Sequence, residues 1–231
     1  MPAQTTQGAG KLGLALYFSE APGNGWNGSL FVLYDAKALI SAIDAEVVKA
    51  EKTEKIDFMK DLSDAERQSA INEILMDELR GQIYAIINLR DDARGNAYDT
   101  KMVGSSAARK GYGPLIYDIA MAQAGGIMPD RRSVSDDAHR VWDYYQKNRG
   151  DVEAKQIDDM WDPKTPTEVD DALMAKGEPE DSSLNQAYFI KNFPQVSNLQ
   201  ANHQALLDTY AVSDVDPGFA MAADQFFLEK Y

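Results

Sequence analysis

The chain contains no cysteine and only two histidines among its 231 residues. Without cysteine there can be no disulfide, zinc–thiolate site, iron–sulfur cluster or cysteine nucleophile. With only His139 and His203, a histidine-rich metal site is excluded, and a Ser-His-Asp triad would have to use one of the two. We therefore predict no metal site. Cysteine-free composition fits a reducing compartment, so we expect a cytoplasmic protein.

Long apolar runs and positive charge are also scarce. No stretch reaches the roughly 18 to 20 uninterrupted apolar residues that a membrane span needs. Residues 1–11 have no apolar run behind a basic cluster, so we expect a flexible arm and not a signal peptide. The formal net charge of -14 disfavours contacts with nucleic-acid phosphates. From these absences we expect no membrane span and no direct binding of nucleic acid.

The charge is unevenly distributed along the chain. Residues 151–182 hold eleven acids and three lysines, whereas residues 101–149 hold eight bases and five acids. A basic centre inside an acidic protein suits a polyanionic cofactor. Ordinary scatter of surface charge explains an excess of three equally well.

The spacing of apolar residues predicts an α/β fold with a mixed, mostly antiparallel central sheet, flanking helices and a C-terminal helical extension. Ser63 and Glu66 form a capping-box pattern, Pro114 stands where a missing amide costs nothing, and Gly125 suits a helix end. The predicted helices are 36–50, 63–81, 113–125, 135–145, 197–210 and 219–231, and the predicted strands are 12–18, 29–34, 83–89, 98–106, 127–130 and 152–157.

Three segments follow from this organisation. Residues 1–11 form the arm, residues 12–160 the catalytic or binding domain, and residues 161–231 an acidic linker with a helical extension that packs on the core. The linker is predicted because residues 161–183 combine three prolines with dense acidic side chains.

A glycine turn joins the strand over 98–106 to the helix that starts at Gly113. The turn reads Ala108-Arg109-Lys110-Gly111-Tyr112-Gly113. Helix N-terminal amides are unpaired and point outward, and glycine lets the backbone approach a phosphate closely. This segment is therefore a candidate anion site.

The same segment resembles the acyl-CoA-binding core of the GNAT N-acyltransferase superfamily. In that family a strand runs into Arg/Gln-x-x-Gly-x-Gly/Ala, and the turn holds the pyrophosphate of acetyl-CoA. The resemblance covers about residues 83–157 and implies that acetyl-CoA or another acyl-CoA contacts Val103, Ser105, Ala108, Arg109, Lys110, Gly111, Tyr112 and Gly113. Two departures are Ala108, where the family has Arg or Gln, and Pro114, which removes an amide.

The resemblance implies direct acyl transfer to an amine. Tyr144 or Tyr145 would protonate the leaving thiolate, although packing in the core explains either tyrosine as well. Asp99 and Asp118 are candidate bases, although we expect both to be solvated surface carboxylates.

A second interpretation keeps the GNAT-like fold without chemistry, because Ala108 and Pro114 depart from the family pattern and a minimal acyltransferase does not need the C-terminal extension within residues 161–231. Gly126-Ile-Met-Pro-Asp-Arg131 and Val141-Trp142-Asp143-Tyr144-Tyr145 resemble segments of bacteriophage acetyltransferase-like proteins. The chain would then be a virion-associated or protein-interaction module, with phage or host proteins as partners and an oligomeric assembly in the bacterial cytoplasm or the virion.

Overall fold

The computed structural model describes residues 12–20, 27–55, 57–58, 60–91, 97–130, 133–157, 181–193 and 196–210. The predicted arm, nearly all of the acidic linker and the predicted helix over 219–231 lie outside the described residues. Among the described helices, none combines the length and the apolar character needed to cross a bilayer.

The described residues form seven strands and five α-helices. The strands are β1 (Leu12–Glu20), β2 (Asn27–Asp35), β3 (Ile83–Arg90), β4 (Lys101–Ala108), β5 (Ile127–Met128), β6 (Val152–Gln156) and β7 (Gln186–Ile190). The α-helices are α1 (Ala36–Glu54), α2 (Asp64–Gln82), α3 (Gly113–Ala124), α4 (Asp136–Asn148) and α5 (Val196–Tyr210).

The strands form one seven-stranded sheet in the order β1-β2-β3-β4-β5-β7-β6. β4 and β5 are parallel, whereas β7 runs antiparallel to both β5 and β6. β3 is a central strand, and five of its eight residues are buried and apolar, as its sequence predicts. The predicted mixed, mostly antiparallel α/β sheet is confirmed.

The described residues fall into two compact units. Unit 1 comprises those within 12–17, 31–86 and 197–210, and α1 and α2 bury apolar side chains such as Leu39, Ile43 and Leu75 there. Helix α5 is tied into this unit by polar contacts. Asn202 Nδ2 donates to the Leu12 carbonyl at 2.7 Å, and the Tyr210 hydroxyl donates to the Ile40 carbonyl at 3.0 Å.

Unit 2 comprises the described residues within 18–30 and 87–196. One cluster in its core joins Met102, Met128, Ile157 and Ala187, all at most 3% exposed. A second cluster is aromatic: Trp142 stacks on Tyr188 with ring centroids 5.0 Å apart, and Tyr117 stacks on Tyr145 at 6.2 Å. Strands β4 to β7 and helices α3 and α4 are thus held by side chains from distant parts of the chain.

Local signals in the sequence locate the helix ends correctly. The capping box is present, with the Ser63 side chain accepting from the Glu66 amide and Glu66 accepting from the Ser63 amide. Ser135 caps α4 through the Ala138 amide. Gly125 ends α3 in the left-handed conformation with φ +72°.

Two predicted strand boundaries need correction, and one strand was not predicted. The strand predicted over 98–106 begins only at Lys101, because Tyr98 and Asp99 adopt left-handed backbone with φ +54° and +58°. β5 ends at Met128 and not at residue 130, since the following Pro129 has no amide to pair. β7 is not among the predicted strands, and it lies inside the sheet between β5 and β6.

Candidate functional site

The glycine turn connects β4 to α3 as predicted. The Tyr112 amide donates to the Arg109 carbonyl at 3.0 Å, which closes a tight turn after Ala108. Gly111 has φ +93°, a left-handed conformation that L side chains rarely adopt, and nothing lies within 4 Å of where a Cβ would be. Glycine is therefore required here by the backbone conformation and not by crowding.

Helix α3 begins immediately after the turn. Its N-cap Tyr112 makes no side-chain capping bond, the first turn carries no acidic residue, and Pro114 contributes no amide. Lys110 is exposed and forms no ion pair within the described part of the chain, and Arg109 is half-buried. The turn thus presents a positive side chain beside the positive end of a helix dipole, which favours an anion.

The pairing between strands β4 and β5 is short. Their parallel pairing covers Lys101 with Ile127 and Met102 with Met128, and β5 ends there. β4 continues for six residues, from Val103 to Ala108, toward the glycine turn. Val103 and Ser105, two predicted contacts of the cofactor, lie on this stretch; Val103 is buried and Ser105 is half-buried.

The two tyrosines predicted as acids have different environments. Tyr145 is 1% exposed, and its hydroxyl donates toward the Asp118 carboxylate and the Pro114 carbonyl, each at 2.7 Å. Burial and the neighbouring Asp118 raise the pKa of Tyr145 well above its usual range. Tyr144 is half-buried, and its ring meets the Tyr145 ring edge-on at 5.9 Å. Tyr145 is therefore part of the packed interior, whereas Tyr144 is not enclosed.

Asp118 is not the solvated surface carboxylate that the sequence predicts. It lies on the buried face of α3, is 1% exposed, and accepts hydrogen bonds from Arg149 at 3.0 to 3.2 Å. Burial raises the pKa of the Asp118 carboxyl, and the bonds from Tyr145 and Arg149 oppose that rise. Arg149 also pairs with Asp151 at 2.7 Å, which holds the pKa of Asp151 below its usual range. This network fastens α3 to the end of α4 and the start of β6.

Asp99 is exposed, as predicted, but it lies in the short 3-10 turn Ala97–Asp99 and not on a strand. Its neighbour Tyr98 donates a hydrogen bond of 2.6 Å to the Gln156 carbonyl. The structure therefore does not bring the two candidate bases, Asp99 and Asp118, together in one place as accessible carboxylates.

A pair of hydroxyls near the candidate site was missed from the sequence. Ser106 Oγ on β4 and the Tyr117 hydroxyl on α3 lie 2.9 Å apart, and Ser106 is in the stretch of β4 beyond its pairing with β5. Tyr117 is buried and contacts Trp142 edge-on at 5.1 Å. Within the continuously apolar α3 pattern, nothing in the sequence distinguishes this tyrosine from a core residue.

Neither histidine lies in the glycine turn between β4 and α3. His203 is buried in unit 1, and its Nδ1 lies 2.7 Å from the Tyr34 hydroxyl, whose pKa is raised by burial. His139 lies on α4 with Nε2 3.8 Å from Asp143. Among the described residues, no group of three metal-ligating side chains comes together.

Comparison with known protein families, curated proteins and solved structures finds no match for this chain. Its candidate function therefore has to be argued from the geometry of the β4–α3 turn and its neighbours.

Proposed function

We propose that the chain is an acyl-CoA-dependent N-acyltransferase of the GNAT type. One observation carries the proposal. The parallel pairing of β4 with β5 ends after two residues, and β4 then continues through the left-handed Gly111 turn into α3. The GNAT resemblance implies a gap between these strands for pantetheine and a turn for the pyrophosphate. The end of the β4–β5 pairing and the Gly111 turn support this assignment.

The residues of the turn fit a polyanionic ligand in part. Lys110 and Arg109 supply positive charge, and the amides at the start of α3 supply donors. Ala108 offers no side-chain contact, and Pro114 offers no amide. The proposal therefore assigns most of the phosphate affinity to the two cationic side chains and the helix end.

The reaction would be a direct transfer. The acceptor amine loses a proton and its nitrogen attacks the thioester carbonyl, the carbon–sulfur bond breaks, and the CoA thiolate takes up a proton. Amides of β4 between Met102 and Ser105 would stabilise the carbonyl oxygen. Tyr144 is the better of the two predicted acids, because the Tyr145 hydroxyl already has two acceptors in the interior.

Titration calorimetry with acetyl-CoA tests the proposal directly. We expect the wild-type protein to bind, and we expect Lys110→Glu to weaken binding by about tenfold or more while the thermal unfolding midpoint changes little. Gly111→Asp should also weaken binding, but with a lower unfolding midpoint, because aspartate is strained at φ +93°. Lys191→Glu is the matched control, because Lys191 is also exposed and has no ion pair within the described residues. Absence of heat with millimolar acetyl-CoA would refute the proposal.

A non-catalytic interaction module of the same fold is the second candidate. Ala108, Pro114 and the enclosed Tyr145 favour it, because each removes a group that acyl transfer could use. Size-exclusion chromatography with light scattering separates the two. A large defined assembly that does not bind acetyl-CoA supports the module, whereas a monomer or dimer that binds it supports the enzyme.

A further inference from the structure

One ion pair of unit 2 links β3 to the segment that follows β5, across the intervening strand β4. Arg90 is the last residue of β3, and Asp130 follows β5 by two residues. The Arg90 guanidinium donates to the Asp130 carboxylate. Since β4 lies between β3 and β5 in the sheet, the Arg90 side chain has to cross β4 to reach its partner.

Gly104 is the residue that Arg90 crosses. A Cβ at Gly104 would lie 3.2 Å from both Cδ and Nε of Arg90, closer than ordinary van der Waals contact. Extending the parallel register by two residues from Met102 and Met128 brings Gly104 level with Asp130. The crossing therefore lies just beyond the last paired residues of β4 and β5.

The pair is poorly explained as a source of stability alone. The Asp130 side chain is only 10% exposed, and Arg90 Nε is buried with no hydrogen-bond partner in the described part of the protein. Burying charges and leaving a donor unsatisfied are both unfavourable, and such pairs can often be replaced by apolar residues without loss of stability. A role in positioning the neighbouring strands explains why the long Arg90 side chain lies over Gly104.

We infer that Arg90 and Asp130 form a strut that fixes the spacing of β4 and the segment after β5, just beyond the last paired residues of the two strands. Both are positioning residues. The part of the inference that concerns ligand binding rests on the proposed function, because the GNAT resemblance implies that the acyl-CoA pantetheine would lie between these two strands. The part that concerns strand spacing does not depend on any ligand.

Hydrogen exchange tests the strut in the ligand-free protein. We expect Arg90→Met and Asp130→Asn to accelerate exchange of the amides of 103–108 by about tenfold or more, with the β7 amides of 186–190 unchanged. Arg90→Lys, which keeps the charge, should give an intermediate effect. Lys101→Met is the matched control, because it removes the exposed Lys101–Asp91 ion pair on the same strand. Exchange within about twofold of wild type in both strut variants would overturn the inference.

A substitution at the crossing point gives an independent measurement. Gly104→Val should disturb the amides of 103–108 when Arg90 is present and much less in an Arg90→Ala background, since the atoms it meets have been removed. Equal effects in the two backgrounds would show that Arg90 does not lie against β4 as described.

Acetyl-CoA affinity completes the test and separates the two proposals. If wild type binds, Arg90→Met and Asp130→Asn should weaken binding by about tenfold and Lys101→Met should not. Unchanged affinity in both strut variants would overturn the ligand-positioning role. If wild type does not bind, the proposed function fails, and the exchange measurements still decide whether the strut exists.

Discussion

Removing Arg149 is expected to be the most damaging change to the polar network of unit 2. Arg149→Met keeps an unbranched side chain near the Tyr145 ring, over which the guanidinium lies at 5.2 Å. It leaves the Asp118 carboxylate, 1% exposed, without its cation. Breaking a buried ion pair by removing one partner costs about 3 to 5 kcal/mol. We expect a value near the lower end, because the Tyr145 hydroxyl still donates to Asp118.

The two carboxylates of this network should differ in their effects. Asp118→Asn is expected to cost about 2 kcal/mol, because Arg149 keeps its bonds to Asp151 and Tyr145 keeps the Pro114 carbonyl. The Asp151 side chain is 56% exposed, so Asp151→Asn should cost less than about 1 kcal/mol. The predicted order of destabilisation is therefore Arg149→Met, then Asp118→Asn, then Asp151→Asn.

Urea unfolding monitored by circular dichroism measures these differences as free energies, provided the denaturant slope is the same in each variant. A double variant, Arg149→Met with Asp118→Leu, should recover much of the loss, because an apolar pair no longer buries a lone charge. The reasoning is refuted if Asp151→Asn costs as much as Asp118→Asn, or if Arg149→Met costs less than about 1 kcal/mol.

Two further changes probe packing and pH dependence. Gly126→Ala should destabilise by about 3 kcal/mol, because its Cβ would lie 2.6 Å from the Phe189 ring at φ +139°, whereas Gly81→Ala, with nothing within 4 Å on α2, should stabilise by about 0.5 to 1 kcal/mol; similar urea midpoints for the two variants would contradict this. Ser183→Ala should cost up to about 1 kcal/mol at pH 7, because Ser183 Oγ donates to Asp143 at 2.7 Å and holds the pKa of Asp143 low. A lowered carboxyl pKa stabilises the fold above the unfolded value of about 3.9, and that contribution is lost as the pH falls through the folded value. The stabilities of the two proteins should therefore converge once the pH is below the folded pKa of Asp143; a constant difference in urea titrations would argue against this.

Features set by neighbouring residues could be predicted from the sequence. The capping box at Ser63 and the helix end at Gly125 each depend on a few adjacent residues. The glycine turn also falls where it was predicted, between β4 and α3, because Gly111 permits the left-handed backbone of the turn and Pro114 fixes φ at the start of the helix. Local chemistry was sufficient for these elements.

Features set by distant partners could not be predicted in this way. Asp118 is buried because Arg149, 31 residues further on, neutralises it, and sequence spacing does not reveal that pairing. Tyr98 and Asp99 interrupt a strand-like pattern because their left-handed backbone lets the Tyr98 hydroxyl reach Gln156. The Arg90–Asp130 pair likewise depends on the order of strands in the sheet and not on their order in the chain.

The position of β7 has a consequence for how the protein is synthesised. β6 pairs with β7 along five residues, yet the chain has to extend from Gln156 to Gln186 before that partner exists. Until then, the nascent chain carries β5 and β6 without the strand that joins them, and unpaired strand edges favour association between chains. If translation pauses between Gln156 and Gln186, the nascent chain should therefore be prone to aggregation. Release from chaperones should lead to the folded protein only after β7 has been synthesised.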